Sequence, residues 1–127
     1  YLTVLQNIEA AAFLSKVSKT VRRKQAETLT KIVGLSDKSK SYPRELSGGQ
    51  IQRVAIARSL INSPDILFAD EPTGNLDSEN SLQVISLLRN IQQETNMTLI
   101  IVTHDEKIAS QADSVIRLND GEIYDQN

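Results

Sequence analysis

Three short groups of residues carry side chains that could do chemistry: Ser47-Gly48-Gly49, Asp70-Glu71 and His104. The Ser47 hydroxyl can cap a helix, and the two glycines beside it let the backbone approach a ligand closely. A helix starting there has positive dipole character and free amides, which is an anion site in outline. Asp70 and Glu71 directly follow the apolar run Ile66-Leu67-Phe68-Ala69. Ligands of open α/β sheets bind beyond the carboxyl ends of the strands, so this acidic pair is well placed for a site. Neighbours in an extended chain point to opposite sides, so one carboxylate can reach a magnesium ion while the other faces a different atom. Each group also has a plain reading when taken alone: a tight turn, an acidic strand end meeting water, a surface histidine.

The elements that must hold these groups are legible in the hydrophobic periodicity. Thr3 to about Ser18 reads as a helix, with Thr3 and Gln6 in a capping-box pattern and Leu5, Ile8 and Ala12 on one face. A second helix is expected from Thr20 to Val33, ending at Gly34-Leu35, where the glycine takes a left-handed cap and the leucine folds back. Its Arg22-Arg23-Lys24 run reads as a solvated face. Residues 36–43 form a polar loop, and Gln50 to Asn62 resumes helical spacing until Pro64 stops it. Ile66 to Ala69 suits a strand buried on both faces, and Thr98 to Thr103 a second strand. Between them Val84, Leu87, Leu88 and Ile91 mark an amphipathic helix from Ser78 to about Glu94. Strand, helix, strand makes a right-handed crossover joining parallel strands, so Asp70-Glu71 and His104 are expected at one sheet edge. A short helix near 106–112, a strand at Val115 to Leu118 and an Asp120-Gly121 turn into Ile123-Tyr124 complete the pattern.

Composition narrows the classes. The chain has 127 residues, enough for one folding unit, with 39% hydrophobic and 24% charged residues. A net charge of −2 and 4% aromatic residues argue against a nucleic-acid partner, whether bound through phosphates or by base stacking. The absence of cysteine excludes disulfides, thiolate metal sites and a cysteine nucleophile, and fits a reducing compartment. No apolar stretch approaches the roughly 20 residues of a membrane-spanning helix. The opening at Tyr1, without Met or a signal-type segment, is what a fragment would show.

In this context the residues resemble one family. Leu46-Ser47-Gly48-Gly49-Gln50 is similar to the signature motif of ATP-binding cassette (ABC) ATPases, and Ile66 to Glu71 resembles their Walker B strand. Gly74-Asn75-Leu76-Asp77 resembles the D-loop, and His104 after Thr103 the switch histidine. Four motifs in register cover essentially the whole chain, and the wording from Ala69 to Ser78 is most similar to bacterial exporters of the macrolide-export and lipoprotein-release branch. The resemblance implies an α/β fold: part of a RecA-like P-loop NTPase parallel sheet (51–127) with an N-terminal helical subdomain (1–45). It implies ATP and Mg2+, with Asp70 holding the metal through water, Glu71 polarising the attacking water and His104 sensing the γ-phosphate. It implies that Ser47, Gly48, Gly49 and Gln50 face ATP bound mainly by a second ATPase subunit, head to tail, with Asp77 coupling the two sites. The other partners would be transmembrane domains, met by the helices between Thr3 and Val33, with the protein cytoplasmic on the inner face of the membrane.

One expected part has no counterpart. The family's phosphate loop has the form GxxxxGK[ST], but the five glycines here are residues 34, 48, 49, 74 and 121, and none precedes a lysine. Tyr1-Leu2-Thr3-Val4 resembles the stretch just after the family's glutamine loop, so the chain reads as truncated. Residues 1–127 are then expected to hydrolyse ATP negligibly, and their strand edges to pair with another chain. Two other readings stay open: a non-catalytic module that donates its signature to an intact ATPase, and a DNA-repair or chromosome-type ATPase head. The latter usually carries long coiled coils, and no heptad run occurs here.

Overall fold

In the computed structural model, residues 1–126 are described, and Asn127, the last residue of the expected 51–127 span, lies outside them. Helix α1 spans Val4–Ala10, capped by Thr3 in the expected box with Gln6. It stops well short of Ser18. From Ala11 the backbone tightens into three-residue turns, with Ser15 Oγ donating to the carbonyl of Ala12, the last residue of this stretch to reach the core. Helix α2 spans Lys19–Ile32 from the Ser18 cap. It ends as the Gly-Leu pair predicts: Gly34 takes φ +68, its amide donates to Lys31 O, and the Leu35 amide donates to Thr30 O. Leu35 is buried in the same cluster as Val4, Ile8, Ala26, Val33, Val54 and Ala57. Each large apolar side chain buried there contributes about 1.5–3 kcal/mol. The 36–43 loop docks on α1, with the carbonyls of Ser41 and Ser39 accepting from the otherwise orphaned amides of Val4 and Leu5.

Helix α3, Gly48–Leu60, belongs to both halves of the core. Val54, Ala57 and Ile61 face α1 and α2, whereas Ile56 and Leu60 join Leu67, Val84, Ile85, Leu88 and Ile91. Strand β1 (Ile66–Asp70), helix α4 (Ser78–Thr95) and strand β2 (Thr98–Val102) form the expected crossover, and the strands pair in parallel with Asp70 beside Val102. Asn96, left-handed at φ 54, ends α4. Helix α5 is the single turn Glu106–Ala109. Strands β3 (Ile116–Asn119) and β4 (Glu122–Gln126) form an antiparallel hairpin around Asp120-Gly121, both at positive φ.

The expectation that β1 is buried on both faces is wrong. Leu67 is buried and packs with half-buried Leu99 and Ile101 against the helices, but Ile66 is 51% exposed and Phe68 70%. The helices cover one face of the β1–β2 pair, and among the described residues nothing covers the other. Among the described residues the free edge of β2 likewise has no partner strand, since β3 pairs with β4.

Candidate functional site

Ser47 adopts an extended conformation at the cap of α3. Its hydroxyl accepts from the Gln50 amide at 3.3 Å, while Gln50 Oε1 accepts from the Ser47 amide at 2.9 Å. This reciprocal pair fixes the turn and leaves Ser47 and Gly48 exposed at the positive end of a thirteen-residue helix. The Gln50 side chain therefore serves first to hold the Ser47 amide, a role its spacing from Ser47 could have disclosed.

At the carboxyl end of β1 the chain leaves the sheet abruptly. Glu71 sits at φ 43, so the extended alternation expected of Asp70 and Glu71 does not hold. The bend is held by the Glu71 amide donating to Val102 O at 2.9 Å and the Gly74 amide donating to Glu71 O at 3.1 Å. It directs the Glu71 carboxylate towards β2, where Oε1 lies 2.8 Å from His104 Nδ1 and accepts from the His104 amide at 3.1 Å. That hydrogen bond, with the charge of Glu71, raises the pKa of His104 above its ordinary value. Asp70, at the exposed strand end, makes no side-chain hydrogen bond among the described residues. Beyond the bend, Pro72 and Thr73 are buried and anchor the loop leading to Asp77.

Asp77 caps α4. Its Oδ1 accepts from the Asn80 amide at 2.8 Å and its Oδ2 from Asn80 Nδ2 at 2.7 Å. The Asn80 bonds, backbone first and side chain second, hold the Asp77 carboxyl below its ordinary pKa. Asn80 went unnoticed in the sequence, although an Asp followed by Asn three residues later has capping-box spacing. The structure thus brings Glu71 to His104 and sets Ser47 to Gly49 beside the start of α4, where a Cβ on Gly48 would meet Leu76 and one on Gly49 would meet Asn80. No group of three or more acidic, histidine or cysteine side chains forms a metal cage among the described residues.

A family profile described as ABC transporter matches residues 2–74. The chain belongs to the ABC transporter family. Among the relatives of this ABC transporter chain is the uncharacterized ABC transporter ATP-binding protein MJ1508 of Methanocaldococcus jannaschii. It is 49% identical over 124 residues, covering 98% of this chain and 55% of the relative. The macrolide export ATP-binding/permease protein MacB of Bartonella henselae is 44% identical over 126 residues, covering 99% of this chain and 19% of MacB. The solved dimeric structure of MJ0796, a bacterial ABC transporter cassette, matches with a TM-score of 0.81 at 39% identity, covering 99% of this chain and 56% of that one. MJ0796 has also been solved in a post-hydrolysis state bound to ADP and Pi, again with a TM-score of 0.81. The fold is accordingly the α/β P-loop NTPase fold of ABC cassettes, and the chain spans about half the length of the cassette proteins it matches.

Proposed function

We propose that this ABC transporter chain is the signature-bearing part of an ATP-hydrolysing subunit that drives transport, on the exporter side of the family. The observation that carries the reading is the Glu71–His104 clasp at the shared strand edge, in register with an exposed Ser47-Gly48 turn. Glu71 is the general base, with Oε1 held by His104 and Oε2 left to meet a water. His104, exposed and next to that carboxylate, is the γ-phosphate sensor. Asp70 has the free carboxylate that magnesium requires, since this ion is held by one or two carboxylates together with substrate phosphates and water. Magnesium bound there would neutralise phosphate charge.

Ser47, Gly48 and Gly49 are offered to ATP on a second ATPase subunit, head to tail, and Asp77 links the two sites. That MJ0796 is dimeric and has been captured with ADP and Pi supports this assignment. We assign 1–45 to a helical subdomain that meets transmembrane partners, and 51–127 to the ATPase core, at the cytoplasmic face of the membrane. The decisive experiment is magnesium-dependent ATP turnover by a protein that joins these residues to a GxxxxGK[ST] loop, assembled with a second ATPase subunit. Glu71→Gln is expected to lower kcat by roughly a hundredfold or more, the range for a general base. Turnover indifferent to this substitution would refute the assignment.

In a second reading, the exposed Ser47-Gly48 turn is all that the chain contributes, donated as a signature to an intact ATPase. Under that reading Ser47→Arg abolishes turnover by the partner, whereas Glu71→Gln leaves it unchanged.

A further inference from the structure

Gly48 and Gly49 look equivalent in the sequence but have opposite surroundings. Gly48 is exposed, and a Cβ built on it would make an ordinary 3.4 Å contact with Leu76 Cδ2. Gly49 is buried, and a Cβ there would fall 2.5 Å from Asn80 Oδ1 and 3.0 Å from Asn80 Cγ. Neither glycine is at positive φ, since both lie in the first turn of α3. Position 49 therefore requires glycine because of a neighbour, not because of its backbone conformation. That neighbour is not free to swing aside. Asn80 Nδ2 donates to Asp77 Oδ2 at 2.7 Å and its amide donates to Asp77 Oδ1 at 2.8 Å, so both oxygens of Asp77 are held by the residue that abuts Gly49.

We propose that Asn80 is a positioning residue that couples the Ser47-Gly48-Gly49 turn to the Asp77 loop, and that Gly49 is glycine in order to admit it. Any shift of the start of α3 presses on the Asn80 amide, and the amide moves Asp77 with it. Conversely, whatever engages Asp77 fixes Asn80 and thereby the angle at which the α3 amides face outward. The inference rests on the reading above, in which the signature turn and Asp77 serve ATP sites shared between two subunits.

Two experiments separate this coupling from that reading. The first, on the full chain, is a thermal-unfolding cycle of Gly49→Ala, Asn80→Gly and the double variant. Gly49→Ala is expected to lower Tm by about 4 °C or more when Asn80 is present. In the Asn80→Gly background the same change should be neutral or stabilising, because alanine is the better helix former once the obstacle is gone. If Gly49→Ala folds only in the Asn80→Gly background, the contact is confirmed. An equal shift in both backgrounds, or failure to fold in both, overturns it. The second experiment measures ATP turnover of a protein that joins these residues to a GxxxxGK[ST] loop, with a second ATPase subunit present. Asn80→Gly is expected to lower kcat by roughly threefold or more with KM for ATP unchanged, because Asn80 acts through Asp77 and the turn. A lowered Tm with kcat unchanged leaves Asn80 merely structural and refutes the positioning role. If the unsubstituted protein shows no turnover at all, the functional reading fails, while the unfolding cycle still reports on the contact.

Discussion

Glu71 is a left-handed non-glycine residue, a backbone state that costs on the order of 1–2 kcal/mol and persists only where surrounding bonds enforce it. Here the enforcement comes from Val102 O and the Gly74 amide, and it lets one carboxylate oxygen serve both the ring and the backbone of His104. The raised pKa of His104 follows first from the hydrogen bond to Glu71 and then from its charge. The sign of the pH dependence follows directly. A histidine with a raised folded-state pKa contributes its stabilisation fully below the unfolded value of 6.5, and that contribution is lost as pH rises through the folded value. The charge-assisted part of the clasp is therefore strongest in mild acid and weakens as the imidazole loses its proton, while the His104 amide keeps its bond to Glu71 Oε1. His104 is the sole histidine in the chain, so its ring resonances can be followed without assignment. Glu71→Gln is expected to bring the NMR titration midpoint back down towards 6.5. A midpoint unmoved by that substitution would show that the 2.8 Å contact is not what sets the protonation of His104.

The end of α2 offers the plainest test among the secondary-structure elements. Gly34 at φ +68 closes α2 and turns Leu35 into the core, and the nearest atom to a Cβ there is Arg53 Nη1 at an ordinary 3.6 Å. Steric crowding is thus absent, and Gly34→Ala tests backbone strain alone: a loss of about 1 kcal/mol in denaturant unfolding, with the slope m unchanged. A neutral result would mean that the cap can relax to right-handed geometry. This cap was legible in advance because Gly-Leu after an amphipathic run has one common local solution, and the same holds for Thr3 with Gln6, Ser47 as a cap and Asp120-Gly121. Element type was legible wherever a periodic stretch carried its own cap. What could not be read were features set by distant residues. The bend at Glu71 depends on the Val102 carbonyl, and the approach of Asn80 to Gly49 on how α3 lies against α4. The double-sided burial expected for β1 failed for the same reason, since four apolar residues in a row state a preference but do not supply the covering layer.

For the whole molecule the unbalanced feature is the sheet. Parallel register sets Phe68 beside Ile100 and Asp70 beside Val102, and on this uncovered face Phe68 is 70% exposed, Val102 56%, Ile66 51% and Ile100 38%. A contiguous apolar face next to an unpaired strand edge is what folded monomers avoid, because both features promote association with other chains. The 127 residues on their own are accordingly expected to self-associate, with a weight-average mass by static light scattering that rises with protein concentration. Phe68→Lys places a charge at the centre of the exposed face without touching the packed side held by Leu67, so it should lower the association while leaving the far-UV circular dichroism intact. A concentration-independent monomer mass would rule out the sheet as an associating surface, and undiminished association of Phe68→Lys would move the contact elsewhere. ATP turnover belongs to the same scale. With no GxxxxGK[ST] loop among these residues, negligible hydrolysis is expected from them at any oligomeric state. Self-association through the sheet and loss of turnover are thus independent expectations, and a magnesium-dependent activity that tracked the oligomer and vanished in Glu71→Gln would overturn the second while sparing the first.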